Sequence, residues 1–229
     1  MSENEKDFLV TATGADLPEF ERPTYIFALP SQKLLENENI KSVIQKLAQL
    51  VQANTSKVEF VAIDQGKLKN DKNEFTCMDA REFSNVSREK LTGKNYITFA
   101  GSAFFAHPKI AAELREFGHS DLADAVAAIL DVMREEGISL DIFSNHFGED
   151  GGCGGLNFFK NEINSDFKIP NATAYKKLFE ETRESIGEVA KNAKILIYQT
   201  NLNGEIIESF NLEDEEEFKK FKDKYDGNF

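Results

Sequence analysis

Cysteine and histidine are scarce in this chain, and their placement is informative. Cys77 and Cys153 are its two cysteines, and His146 is one of three histidines. Cys77 opens the string Cys77-Met78-Asp79-Ala80-Arg81. His146 opens a second string, His146-Phe147-Gly148-Glu149-Asp150-Gly151-Gly152-Cys153-Gly154-Gly155. Two thiolates and one imidazole are three soft-to-borderline ligands. A catalytic zinc site takes that number from its protein and leaves a fourth position open. Cys77, His146 and Cys153 are therefore the candidate metal ligands.

Two cysteinates cancel the charge of a divalent ion. A water on such a centre is less acidified than one under three neutral imidazoles, and a neighbouring base would assist it. In an extended chain residues 77, 79 and 81 point the same way. Asp79 would orient the water, and the guanidinium of Arg81 would hold Asp79 in place through paired hydrogen bonds. Asp79 and Arg81 are the candidate catalytic residues. If Arg81 released it, Asp79 could take the fourth metal position and close the site.

These residues need elements to bring them together. Apolar positions from Leu34 to Val51 recur at helical spacing. Residues 57–64 read as a strand, followed by a polar loop over 64–74. Residues 73–78 read as a short strand that delivers Cys77 and Asp79 at its end, and 96–100 as another. Residues 108–117 and 121–136 read as helices, the second stopped by Gly137. A strand over 138–144 places His146 just past its end. A helix is expected from Leu156 and another over 171–190, capped by Asn171 or Thr173. Residues 194–200 and 205–210 read as a hairpin around Asn201-Leu202-Asn203-Gly204. Strands alternating with helices predict an α/β fold: a mostly parallel central sheet flanked by helices, with a C-terminal hairpin. Ligands of such sheets bind beyond the carboxyl ends of the strands, where Cys77, Asp79, Arg81 and His146 all fall.

The two strings resemble the motifs of the β-class carbonic anhydrases. That family carries Cys-x-Asp-x-Arg at one strand end, matched by Cys77, Asp79 and Arg81. It carries His-x-x-Cys-Gly-Gly at a later one, matched by His146 and Cys153-Gly154-Gly155 with a gap of six residues instead of two. A cadmium-accepting class also has a longer gap. Phe99-Ala100-Gly101 falls where the family has Asn-Ala-Gly. The resemblance covers roughly residues 75–210 and is loose outside the two motifs. It implies reversible hydration of carbon dioxide to bicarbonate on Zn2+, with Cd2+ as another possible ion. Relatives of this fold hydrolyse carbonyl sulfide or carbon disulfide, so a sulfur analogue is an alternative substrate. A metal-stabilised interaction module without turnover is the alternative from another class. The resemblance further implies a homodimer, with the N-terminal segment wrapping its partner.

Other features have plainer readings. His107 and His119 read as surface or helix-end residues, and Phe83, Phe104 and Phe105 as core. The glycine-rich loop over 148–155 lacks the spacing of a phosphate cradle. A chain of 229 residues, 41% hydrophobic, can bury one substantial core. The expected organisation is an irregular arm over 1–30, punctuated by Pro18, Pro23 and Pro30. A metal-binding α/β domain follows over 31–212, then a polar helix or tail over 213–229. A net charge of -13 argues against nucleic acid and anionic membranes as partners. No segment reaches the ~20 apolar residues of a membrane span. The acidic, polar N-terminus does not read as a signal peptide, so a cytoplasmic location is expected. In that reducing compartment a Cys77–Cys153 disulfide is disfavoured.

Overall fold

The structure is a computed structural model that describes residues 24–51, 57–63, 65–77, 96–99, 102–148, 153–201 and 206–227. Its centre is a five-stranded sheet of β3 (Glu74–Cys77), β4 (Tyr96–Phe99), β5 (Ile142–Gly148), β6 (Lys194–Thr200) and β7 (Ile206–Asn211), in the order β4-β3-β5-β6-β7. The first four are parallel and β7 is antiparallel to β6. β1 (Thr24–Leu29) and β2 (Lys57–Ala62) form a separate parallel pair. The helices are α1 (Gln32–Leu35), α2 (Glu38–Val51), α3 (Gln65–Asn70), α4 (Pro108–Glu116), α5 (Ser120–Glu135), α6 (Gly154–Phe158), α7 (Ala172–Ile186) and α8 (Glu215–Asp226). The molecule is thus α/β, with a mostly parallel sheet flanked by helices. Among the described residues, no helix is long and apolar enough to cross a membrane.

Paired residues on parallel strands share a face. The register sets Ile97, Phe75, Phe143 and Ile195 on one face, and Tyr96, Glu74, Ile142 and Lys194 on the other. The first face carries the aromatic core. Phe143 meets Phe179 of α7, and Phe147 meets Phe221 and Tyr225 of α8. The second face carries a polar core, where Ser144 and Tyr198 both donate to the buried carboxylate of Glu74.

The amino ends of the central strands are locked by two polar residues. The Asn73 side chain donates to the carbonyls of Leu68 and Ser139, at 2.7 and 2.9 Å. Its backbone N–H donates to the Asp141 carboxylate at 2.9 Å. The N–H groups of Asp141 and Ile142 return to the Asn73 carbonyl, and Lys194 N–H reaches the Asp141 carbonyl. One polar knot therefore fixes β3, β5 and β6 in register, and that register carries through to their carboxyl ends. The chain reaches this knot through the end of α5. Gly137 is left-handed at φ +67. Ile138 N–H bonds the Met133 carbonyl and Gly137 N–H the Arg134 carbonyl. This pairing is the Schellman closure, for which glycine carries no Cβ penalty.

Several boundaries differ from the sequence expectation. Thr24–Leu29 is a strand inside the segment expected to be irregular. Part of the expected polar loop after residue 64 is the helix α3. β5 begins at Ile142 and ends at Gly148, so His146 lies within the strand and not past it. The expected hairpin is present as β6 and β7, while its turn residues 202–205 lie outside the described residues. The expected polar C-terminal helix is α8, whose Phe221 and Tyr225 are buried.

Candidate metal centre

β3 is the point at which the sheet changes direction. From β3 the chain goes out to β4 on one side, then crosses to β5 on the other. β3 is therefore the switch point of the strand order. In open α/β sheets this is where ligands bind. Cys77 is the last residue of β3, and His146 is near the end of β5.

Cys77, His146 and Cys153 converge at this edge of the sheet. Their ligand atoms all lie within 4.8 Å of one another. Relative exposure is 0% for Cys77, 1% for His146 and 4% for Cys153, so the cluster is closed to bulk water. The two sulfurs are 3.6 Å apart, within reach of a thiol–thiol hydrogen bond and far beyond the ~2.05 Å of a disulfide. Two thiolates on one tetrahedral zinc, each at ~2.3 Å, stand about 3.8 Å apart. The sulfur spacing thus fits a shared metal without rearrangement of the backbone. The three residues could hold a metal ion, and the donor set of two thiolates and an imidazole is one that zinc accepts.

Local structure accounts for each ligand's position. Ser102, at the turn after β4, donates through Oγ to the Phe75 carbonyl at 2.8 Å. This holds β3 two residues before Cys77. Ser102 is buried and has a left-handed backbone at φ 59, an uncommon conformation for a side chain other than glycine. His146 is held by the β5–β6 ladder opposite Tyr198, and its backbone N–H donates to Asn145 Oδ1 at 2.8 Å. Gly148 ends β5 against Thr200. A Cβ there would meet the Thr200 carbonyl oxygen at 2.2 Å, so the approach requires glycine. Cys153 precedes the short helix α6, and its carbonyl accepts from Asn157 N–H at 3.0 Å.

Alternation would send Cys77 and His146 to opposite faces of the sheet. They meet because the β3–β5 ladder covers only Glu74–Ile142 and Phe75–Phe143 among the described residues. Among the described residues no β3–β5 ladder continues to the carboxyl edge.

A further residue belongs to this region and was not expected there. Tyr175 of α7 is 2% exposed, and burial pushes its phenol well above the ordinary range. Electrostatic coupling to the ionisable groups of Cys153, Tyr225 and Cys77 pushes it the same way. Nothing in the sequence links a helical tyrosine to Cys77; only the folded sheet does.

Asp79 and Arg81 lie outside the described residues, as do Phe83 and residues 149–152 of the gap between His146 and Cys153. Phe104 and Phe105 are buried core residues as expected. His107 stands at the start of α4 but is buried, with Nε2 2.9 Å from a Glu181 carboxylate oxygen. Glu181 is held below the usual carboxylate range, chiefly by that hydrogen bond. His119 precedes α5 and packs edge-on against Phe158. Neither histidine belongs to the Cys77–His146–Cys153 cluster.

No family model matches the chain, and no curated protein or solved structure matches it.

Proposed function

We propose that the protein uses a zinc ion, held by Cys77, His146 and Cys153, to hydrate carbon dioxide reversibly to bicarbonate. The observation that supports this reading is the convergence of those three side chains at the switch point of a parallel sheet. When bound, the metal acidifies a water molecule and so supplies a nucleophile for the carbon of CO2. The chain's own residues do the rest. Cys77 and Cys153 balance the charge of the ion. The buried imidazole of His146 completes the triad. Asp79, two residues past Cys77, accepts a hydrogen bond from the attacking water, takes its proton and passes it to buffer. Arg81 fixes the Asp79 carboxylate. On this reading the likeness to the β-class carbonic anhydrases extends from motif to mechanism, and Cd2+ is the other ion the thiolate pair would accept.

Metal content and stopped-flow CO2 hydration, measured on one preparation, test the proposal. About one zinc per chain is expected, with hydration rising between about pH 7 and 9 because two thiolates leave the centre formally neutral. Hydration no faster than background across that range, with zinc bound, would sink the enzymatic reading.

The near-complete burial of all three ligands favours one alternative, a metal that only stabilises the fold. In that case zinc raises the melting temperature, and Cys77→Ser lowers it with no turnover to lose.

A further inference from the structure

β5 presents a second polar group towards the Cys77 face. Counting by alternation from the Phe75–Phe143 pair puts Cys77 and Asn145 on the same face of the sheet. Asn145 is 1% exposed. Its Oδ1 accepts from His146 N–H, which fixes the amide's orientation, and its Nδ2 is buried without a hydrogen-bond partner among the described residues. A buried amide donor left unsatisfied is destabilising, so its persistence calls for a partner.

The Tyr175 hydroxyl is in the same condition, buried and without a hydrogen-bond partner among the described residues. Ring contacts place it over the same stretch of β5. Tyr175 stacks on Phe179 with centroids 4.9 Å apart, and Phe179 rests on Phe143 at 5.1 Å. Tyr175 also meets Tyr225 at 5.3 Å, and Tyr225 rests on Phe147 at 5.7 Å. Phe143 and Phe147 flank Asn145 on that face of the strand. Two chains of contact thus bracket Tyr175 above Asn145. The start of α7 is pinned, since Asp226 accepts from Ala172 N–H at 2.7 Å and Asn171 caps the helix through Ala174 N–H.

Two buried donors on the sheet face that carries Cys77 share one need, an acceptor that arrives with the ligand. We propose that Tyr175 Oη–H and Asn145 Nδ2–H form a two-donor pocket for a small planar oxyanion of the carboxylate class, seated next to the metal held by Cys77, His146 and Cys153. The inference rests on the metal reading of that triad. It adds two positioning groups to it and names the class of ligand. Bicarbonate, the product of the proposed hydration, is of that class. Both donors are neutral, so they recognise oxygen acceptors by geometry and leave the net charge to the metal.

Cobalt(II) provides a readout independent of turnover, because its visible absorption reports what lies against it. The full-length protein is loaded with cobalt and titrated with acetate and with bicarbonate at fixed ionic strength. A saturable spectral change is expected. Tyr175→Phe keeps the ring packing and removes one hydroxyl; it should weaken both anions about tenfold, with cobalt content unchanged. Asn145→Asp keeps the acceptor for His146 N–H and replaces the donor with a carboxylate oxygen; it should weaken them further. Unchanged anion affinity in both variants, or no anion response in the unsubstituted protein, overturns the donor pocket and leaves the metal site standing. Loss of cobalt in both variants also overturns it, because the two residues would then support the metal pocket alone. No cobalt uptake by the unsubstituted protein refutes the metal triad, and the donor pocket falls with it.

Discussion

At the scale of single residues, the site has two kinds of member. Cys77, His146 and Cys153 would grip an ion; Asp79, Tyr175 and Asn145 would act on what the ion binds. The two kinds separate experimentally. Cys77→Ser should abolish stoichiometric zinc binding, read by metal analysis after dialysis, because the hydroxyl of serine is a poor substitute for a thiolate. Asp79→Asn should keep zinc and lose hydration by about a hundredfold or more, the usual range for removal of a positioned proton acceptor. Retained hydration in Asp79→Asn would remove that residue from the mechanism. The first kind of member could be read from the sequence because its chemistry is rare: two thiols and three imidazoles in the whole chain leave few combinations. Tyr175 and Asn145 could not, since tyrosine and asparagine have many ordinary uses. Asn145 gains meaning only from sharing a sheet face with Cys77, and Tyr175 only from the packing of α7 over β5.

At the scale of elements, the Asn73–Asp141 knot decides where β3 and β5 end relative to one another. Asn73→Ala removes two side-chain donors and leaves the carbonyls of Leu68 and Ser139 without them. A loss of about 2–4 kcal/mol is expected in urea denaturation, from two buried hydrogen bonds at about 1–2 kcal/mol each. Metal affinity should fall as well, because the ligands sit at the far ends of the strands that this knot aligns. The strand Thr24–Leu29 was legible in its run Tyr25-Ile26-Phe27-Ala28-Leu29, but the nearby prolines masked it. The end of β5 was not legible. Ile138 and Leu140 look like strand residues, yet Leu140 N–H bonds Val189, not a neighbouring strand. Only tertiary pairing shows that the ladder begins at Ile142 and carries His146 inside it.

At the scale of the molecule, the aromatic face of the sheet sets a limit on alkaline stability. Burial raises Tyr225 to about 12, with Asp226 adding to the effect, and raises Tyr175 as well, both from an ordinary value of 10.0. The sign follows directly. Below about pH 10 both phenols are neutral in the folded and unfolded chains. Above it the unfolded chain releases their protons first, so stability declines as pH rises from 10 towards 12. The slope reaches at most ~1.4 kcal/mol per pH unit for each phenol. Tyr225→Phe should flatten part of that decline in melting curves recorded across the interval. An unchanged slope would mean that Tyr225 ionises in the folded chain as readily as in the unfolded one. The α/β class was legible at this scale, because alternating strand and helix patterns leave few other architectures. The separate β1–β2 pair was not, since one of its strands was hidden.

Cys77 and Cys153 are 76 residues apart in sequence, and they meet only when β3 has paired with β5 across a stretch whose described residues include β4, α4 and α5. Loop-closure entropy opposes pairing at such separation, so we expect it late in folding. An ion that needs both thiols cannot guide the chain towards its fold. It can only delay the exit from it. In a chevron experiment with zinc, the unfolding limb should drop while the folding limb stays in place. The metal would then lengthen the lifetime of the native state without shortening the time needed to reach it.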